Sequence, residues 1–149
     1  MNYLVYLDTH ANELEKILSG FKSMLIKEFD PAMRVDQAIN PGDSLYFLRN
    51  RGDCDLRVQA TVSRILSLTN HMDDDLSRIL KELQPKLQLT EEQYNRWSVK
   101  KQAQLIEFEG AHKISPIHIP DCKFIISSDW LAFEGFDQIT DCKHQLMKD

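Results

Sequence analysis

The chain has 149 residues, 42% of them hydrophobic and 28% charged, with a mass of 17.4 kDa. That is one domain of ordinary size, able to bury a core without disulfide or metal staples. The net charge of −5 and a pI of about 5.5 exclude a protein that coats nucleic acid by neutralising phosphates, and no apolar run approaches the ~20 residues of a membrane helix.

In chain order, Asn2–Leu7 is rich in Tyr, Leu and Val and predicts a first strand. Thr9 is placed to cap a helix, and Leu14, Ile17, Leu18 and Phe21 recur at i, i+3, i+4, i+7, one helical face. Gly20 stands where a left-handed helix end is common. Lys22–Phe29 predicts a strand ended by Asp30-Pro31, and Val35–Ile39 a short helix or loop. Asn40-Pro41-Gly42-Asp43 is a turn sequence; Ser44–Arg49 follows as a strand apolar on both faces. Asn50-Arg51-Gly52-Asp53 predicts a hairpin turn. Leu56, Val58, Ala60 and Val62 then alternate with polar residues, and the phase slips at Ile65-Leu66, which predicts a long strand with a bulge.

Asp73-Asp74-Asp75 opens a second helix, with Leu76, Ile79, Leu80 and Leu83 on one face and Pro85 as its stop. Thr90 with Gln93 is a capping box for a third helix. Gln104–Glu109 predicts a strand, and Ile114–Ile119, interrupted by Pro116, an edge or connector. Lys123–Ile126 is another short extended piece. Trp130, Leu131, Phe133 and Phe136 are too apolar to stay loose and predict a segment packed on the body. The order β-α-β-β-β-α-α-β predicts an α+β fold, a small curled sheet or barrel with helices over its openings. Residues 1–149 read as one domain, with 110–149 as a packed extension that adds core, shields an edge or forms a homodimer surface.

Chemistry is sparse. Cys54, Cys122 and Cys142 are widely spaced and fit reduced thiols; with no secretory signal visible, a cytoplasmic location is expected. His10, His71, His112, His118 and His144 form no close ligand pairs, so no metal is expected. No nucleophile elbow or phosphate-cradling glycine loop implies a cofactor. The Asp73–Asp75 run reads as helix capping rather than a cation site, and Arg51-Gly52-Asp53 as a turn rather than an adhesion signal. Charge is uneven: residues 20–64 are +1 and the rest −6. The informative stretch is Ile17–Lys27, where a helix gives way to a strand within two residues of Gly20 and Lys22 sits at the junction, aimed at a barrel mouth.

Gly20, Lys22, Ser23 and Lys27, followed by Gly42-Asp43 before a strand, resemble the ASCH domain of the PUA-like superfamily. The resemblance runs from about Asn2 to about Glu109. It implies a small PUA-like β-barrel with flanking helices, and recognition of RNA, a nucleotide or a modified base. The residues expected to bind ligand are Lys22, Ser23 and Lys27, with Arg49 and Arg51 at the rim. Some members are similar to small amidohydrolases of acylated cytidine, in which the Lys at the Lys22 position acts with a Thr three residues on and a Glu from a helical region. Here the Thr position is Leu25, the usual Arg is Lys27, and no Glu between residues 73 and 92 is marked by a motif. Three functions follow as expectations: a binding module around Lys22, an amidohydrolase with Lys22 as its catalytic residue, and an interaction protein using the Trp130–Phe136 segment.

Overall fold

The computed structural model describes residues 1–8, 11–28, 39–49, 55–69, 75–100, 102–119 and 130–140. Six strands form one mixed sheet: β1 (Asn2–Tyr6), β2 (Met24–Lys27), β3 (Ser44–Leu48), β4 (Asp55–Thr69), β5 (Gln102–His118) and β6 (Trp130–Phe133). The order across the sheet is β2-β5-β4-β3-β1-β6. Only β1 and β3 run parallel; the other neighbours are antiparallel. The helices are α1 (Glu13–Leu18), α2 (Asp75–Glu82), α3 (Gln84–Leu87), α4 (Glu91–Ser98) and α5 (Asp137–Thr140). No helix among the described residues is long and apolar enough to cross a membrane.

The sheet carries apolar side chains on both faces, as the unbroken run of β3 predicts. Leu45 and Phe47 enter one cluster with Tyr3, Val5, Leu25 and Ile106. Tyr46 and Leu48 enter a second with Leu4, Leu56 and Phe133. A third cluster joins Met24 and Leu105 to Leu76, Leu80, Leu87 and Leu89, which seats α2–α4 against the β2–β5 end. The sheet is curled: Lys27 on one edge strand lies over the ring of Trp130 on the other. The expected α+β fold, a small curled sheet with flanking helices, is therefore found, as a half-barrel whose two edges approach.

Several local expectations change. Phe21 is 67% exposed, not on the buried face of α1. The helix ends at Leu18, and Gly20 turns the chain at φ +86°, so the i+7 position is no longer helical. The helix starts at Glu13 after a left-handed Asn12; Thr9, its expected cap, lies outside the described residues. The strand expected over Lys22–Phe29 shortens to β2. Pro85 does not simply stop α2; it occupies the first turn of α3, where a missing N–H costs nothing. Gln104–Glu109 and Ile114–Ile119 are one strand, β5, and Pro116 falls where three residues of β5 (Ile114–Pro116) stand against Arg57 alone on β4, an irregularity outside the paired register. The phase slip of β4 corresponds to a register shift between Val62 and Arg64. Val35–Ala38, the Asn50–Asp53 turn, Asp73-Asp74 and Lys123–Ile126 lie outside the described residues.

The C-terminal aromatic segment packs on the body. β6 pairs with β1, and Phe133 and Phe136 meet the Tyr46 ring at 5.9 and 5.0 Å between centroids. The Asn40–Asp43 turn closes with an Asp43 N–H to Asn40 carbonyl bond of 3.1 Å, and Gly42 has φ +94°. Asp43 also receives the Asn40 N–H at 2.8 Å and the N-terminal ammonium at 3.2 Å. Gly42-Asp43 thus pins β1 and β3 together.

Candidate functional site

The turn after α1 carries Lys22 inward. Its backbone N–H reaches the Lys16 carbonyl, and the Ser23 N–H reaches the Lys86 carbonyl of α3, both at 3.0 Å. Along β2, Met24 and Ile26 face the helices while Leu25 enters the sheet core. Lys22 is 1% exposed. Its amine donates to the Leu87 carbonyl, and Glu13 Oε1 lies at 3.6 Å.

Glu13 is the carboxylate that sequence reasoning missed. It stands in the first turn of α1, beside Lys22. The signal was present: Glu13 is four residues before Ile17, so it lies on the stripe that buries. Its Oε2 accepts the Asp8 N–H at 2.8 Å, and its Oε1 accepts from Gln93 Nε2 at 3.3 Å. Gln93 uses both ends of its amide. Its carbonyl closes the capping box with the Thr90 N–H at 3.1 Å, while its Nε2 also reaches Asp8 Oδ2 at 3.4 Å. A capping residue visible in sequence thereby ties α4 to α1.

Asp8 and Thr90 line a cleft of about 610 Å³, completed by Ala11, Glu91, Glu92 and Asn95. Lys22 and Glu13 stand behind its wall rather than in its lining. Burial pushes the Lys22 amine below the ordinary lysine value; Glu13 opposes that shift, and the charge of Lys16 adds to it. A buried ammonium with one carboxylate beside it and a depressed affinity for its proton is chemically able to exchange one.

The other expected site residues separate. Ser23 is half-buried, and its carbonyl accepts the Phe108 N–H at 2.9 Å. Lys27 leaves β2 on the opposite side from Lys22, and its amine lies 5.0 Å from the Trp130 ring centroid. Arg49 is exposed at the end of β3 and pairs with Glu15 of α1. Arg51 lies outside the described residues. Among the described residues no group of three or more His, Cys, Asp or Glu side chains is arranged to hold a metal. Leu25, where the ASCH resemblance would put a Thr, is buried opposite Ile106 in the core.

The fold is similar to that of the ASCH protein of Zymomonas mobilis, with a TM-score of 0.66, 13% identity, and coverage of 99% of this chain and 94% of that chain. One single-substitution variant of that protein matches with the same values. A second matches with a TM-score of 0.64 at 13% identity, over 99% of this chain and 96% of that chain. No family model and no curated protein matches the chain. At this identity the likeness establishes the architecture: the chain has the ASCH-type, PUA-like fold.

Proposed function

We propose that the protein is a PUA-like module binding RNA, a nucleotide or a modified base, and that one base enters the cleft lined by Asp8 and Ala11, ahead of α1, and by Thr90 and the first turns of α4. The observation that carries this reading is the buried chain of contacts Lys22–Glu13–Gln93–Asp8, which ends at the cleft. It holds Asp8 and Thr90 in place, so the lining is preorganised, which lowers the ordering cost of binding. The lining offers carboxylate oxygens from Asp8, Glu91 and Glu92 and an amide from Asn95. Such a surface suits the N–H edge of a base and repels phosphate. The net charge of −5 fits recognition of a single unstacked base rather than of a phosphate backbone.

Calorimetric titration with cytidine, acylated cytidine and generic single-stranded RNA tests this. Saturable nucleoside binding, weakened at least tenfold by Asp8→Asn or Asn95→Ala, is expected. Tight, sequence-blind RNA binding that persists in those variants would contradict it.

Glu13 also favours a second reading, hydrolysis of an acylated nucleoside, because it supplies a carboxylate beside Lys22. In that reading the wall in front of Lys22 opens to substrate, its neutral amine takes a proton from the water whose oxygen bonds to the acyl carbon, and the proton passes to the nitrogen released as the acyl C–N bond breaks. Incubation with acylated cytidine decides: turnover that survives Lys22→Ala removes Lys22 from catalysis.

A further inference from the structure

A buried ammonium needs acceptors for its three N–H groups. Lys22 has a carbonyl and a carboxylate. Lys27 has neither. Its side chain is 8% exposed, and its contact among the described residues is the indole of Trp130. An aromatic face attracts a cation but offers no lone pair in the ring plane for the individual N–H groups. No side-chain nitrogen shut off from solvent lacks a partner among the described residues. The stem of Lys27 is therefore buried while its nitrogen keeps access to solvent at the seam between β2 and β6. Trp130 is held there by β6 pairing with β1 and by the Tyr3 ring, edge-on at 6.4 Å.

We propose that this seam is a second binding point, where Lys27 beneath Trp130 donates to an acceptor oxygen of a nucleotide ligand, a phosphate oxygen or a ring carbonyl. The ligand class rests on the nucleotide reading above; the site itself rests on a solvent-facing amine that has no hydrogen-bond partner among the described residues and is held against Trp130. Burial lowers the proton affinity of Lys27, and an incoming oxygen takes the place of water at the one end of the side chain that faces solvent. Trp130 lies beyond the segment that carries the ASCH resemblance, so the seam gives the C-terminal extension a part in binding.

The chain has two tryptophans, and Trp97→Phe leaves Trp130 as the single emitter. This variant is titrated with inorganic phosphate, uridine and uridine 5′-monophosphate, with emission and calorimetry followed in parallel. A saturable change in Trp130 emission is expected, weakened at least tenfold when Lys27→Met is added. A response to phosphate assigns the acceptor to the phosphate, and a response to uridine assigns it to the ring carbonyl. Heat of nucleoside binding with silent Trp130 emission, or equal binding by Lys27→Met, overturns the seam site and leaves the cleft reading standing. Neither heat nor emission change overturns both. If Trp97→Phe does not fold, the indole N–H resonance of Trp130 in the unsubstituted protein reads the same outcomes.

Discussion

Lys27 Nζ lies 5.0 Å from the centroid of the Trp130 ring, and the two residues stand on opposite edges of the six-stranded sheet. The contact requires the sheet to curl until its edges approach, which protects edge strands from pairing with other chains. Trp130→Ala removes an indole that packs on the core and meets Tyr3, and we expect a loss of about 3 kcal/mol in urea unfolding, at the lower end for a core tryptophan because Trp130 is only half-buried. Lys27→Met keeps the aliphatic stem and removes a poorly solvated charge, so its stability should stay within about 1 kcal/mol of the parent.

Glu13 and Lys22 form a buried pair, and breaking such a pair costs more than removing it whole. Glu13→Gln should destabilise by roughly 3 kcal/mol, because it leaves the Lys22 ammonium without a counter-charge. Adding Lys22→Met should recover part of that loss. A double-mutant cycle by urea denaturation checks this, and strictly additive effects would show that the pair is not coupled.

The pH dependence has opposite signs in two groups. Burial lowers Lys22 and Lys27 below 10.5. Below their folded values both must stay charged in the core, and the penalty is fully present. Between those values and 10.5 the unfolded chain holds more protons than the native one, so their contribution rises with pH. Burial, reinforced by Asp43, raises Tyr3 to about 12. Between 10 and about 12 the native state keeps a proton that the unfolded chain has lost, so this contribution falls with pH. Ultraviolet titration should show one tyrosine ionising near pH 12, and Tyr3→Phe should abolish that late step.

Leu25 is core, not site. Leu25→Ala should cost about 2–5 kcal/mol. Leu25→Thr introduces the hydroxyl that the ASCH resemblance would put there but buries it opposite Ile106, at a cost of roughly 1–3 kcal/mol. Thermal melts measure both, and Leu25→Thr should not create turnover of acylated cytidine.

Much of this fold was readable from periodicity. The alternation of Leu56–Val62, the two-faced Leu45–Leu48 run and the Thr90–Gln93 box each rest on local geometry, and each is found. The ends of elements were less legible. Phe21 continues the i, i+3, i+4 pattern, and only the positive φ of Gly20 removes it from the helix. Pro116 signals a break, but the long pairing of β4 with β5 absorbs it in an irregularity. The site was half legible. Lys22 stood out at its junction, whereas Glu13 and Gln93 are 80 residues apart and meet only because α1 and α4 cover the same end of the sheet. The resemblance also grouped Lys22 and Lys27 as ligand-binding residues; their separation to opposite sides of β2 follows from strand alternation once the strand is known to start at Met24.

The central claim is that one base occupies the cleft backed by Glu13 and Lys22. Mapping backbone amide shifts during titration with cytidine and acylated cytidine tests it most directly. The account predicts saturable shifts concentrated at Asp8, Ala11, Thr90 and Asn95, and their loss in Asp8→Asn. Shifts confined to other surfaces, or none up to the solubility of the nucleosides, would contradict it.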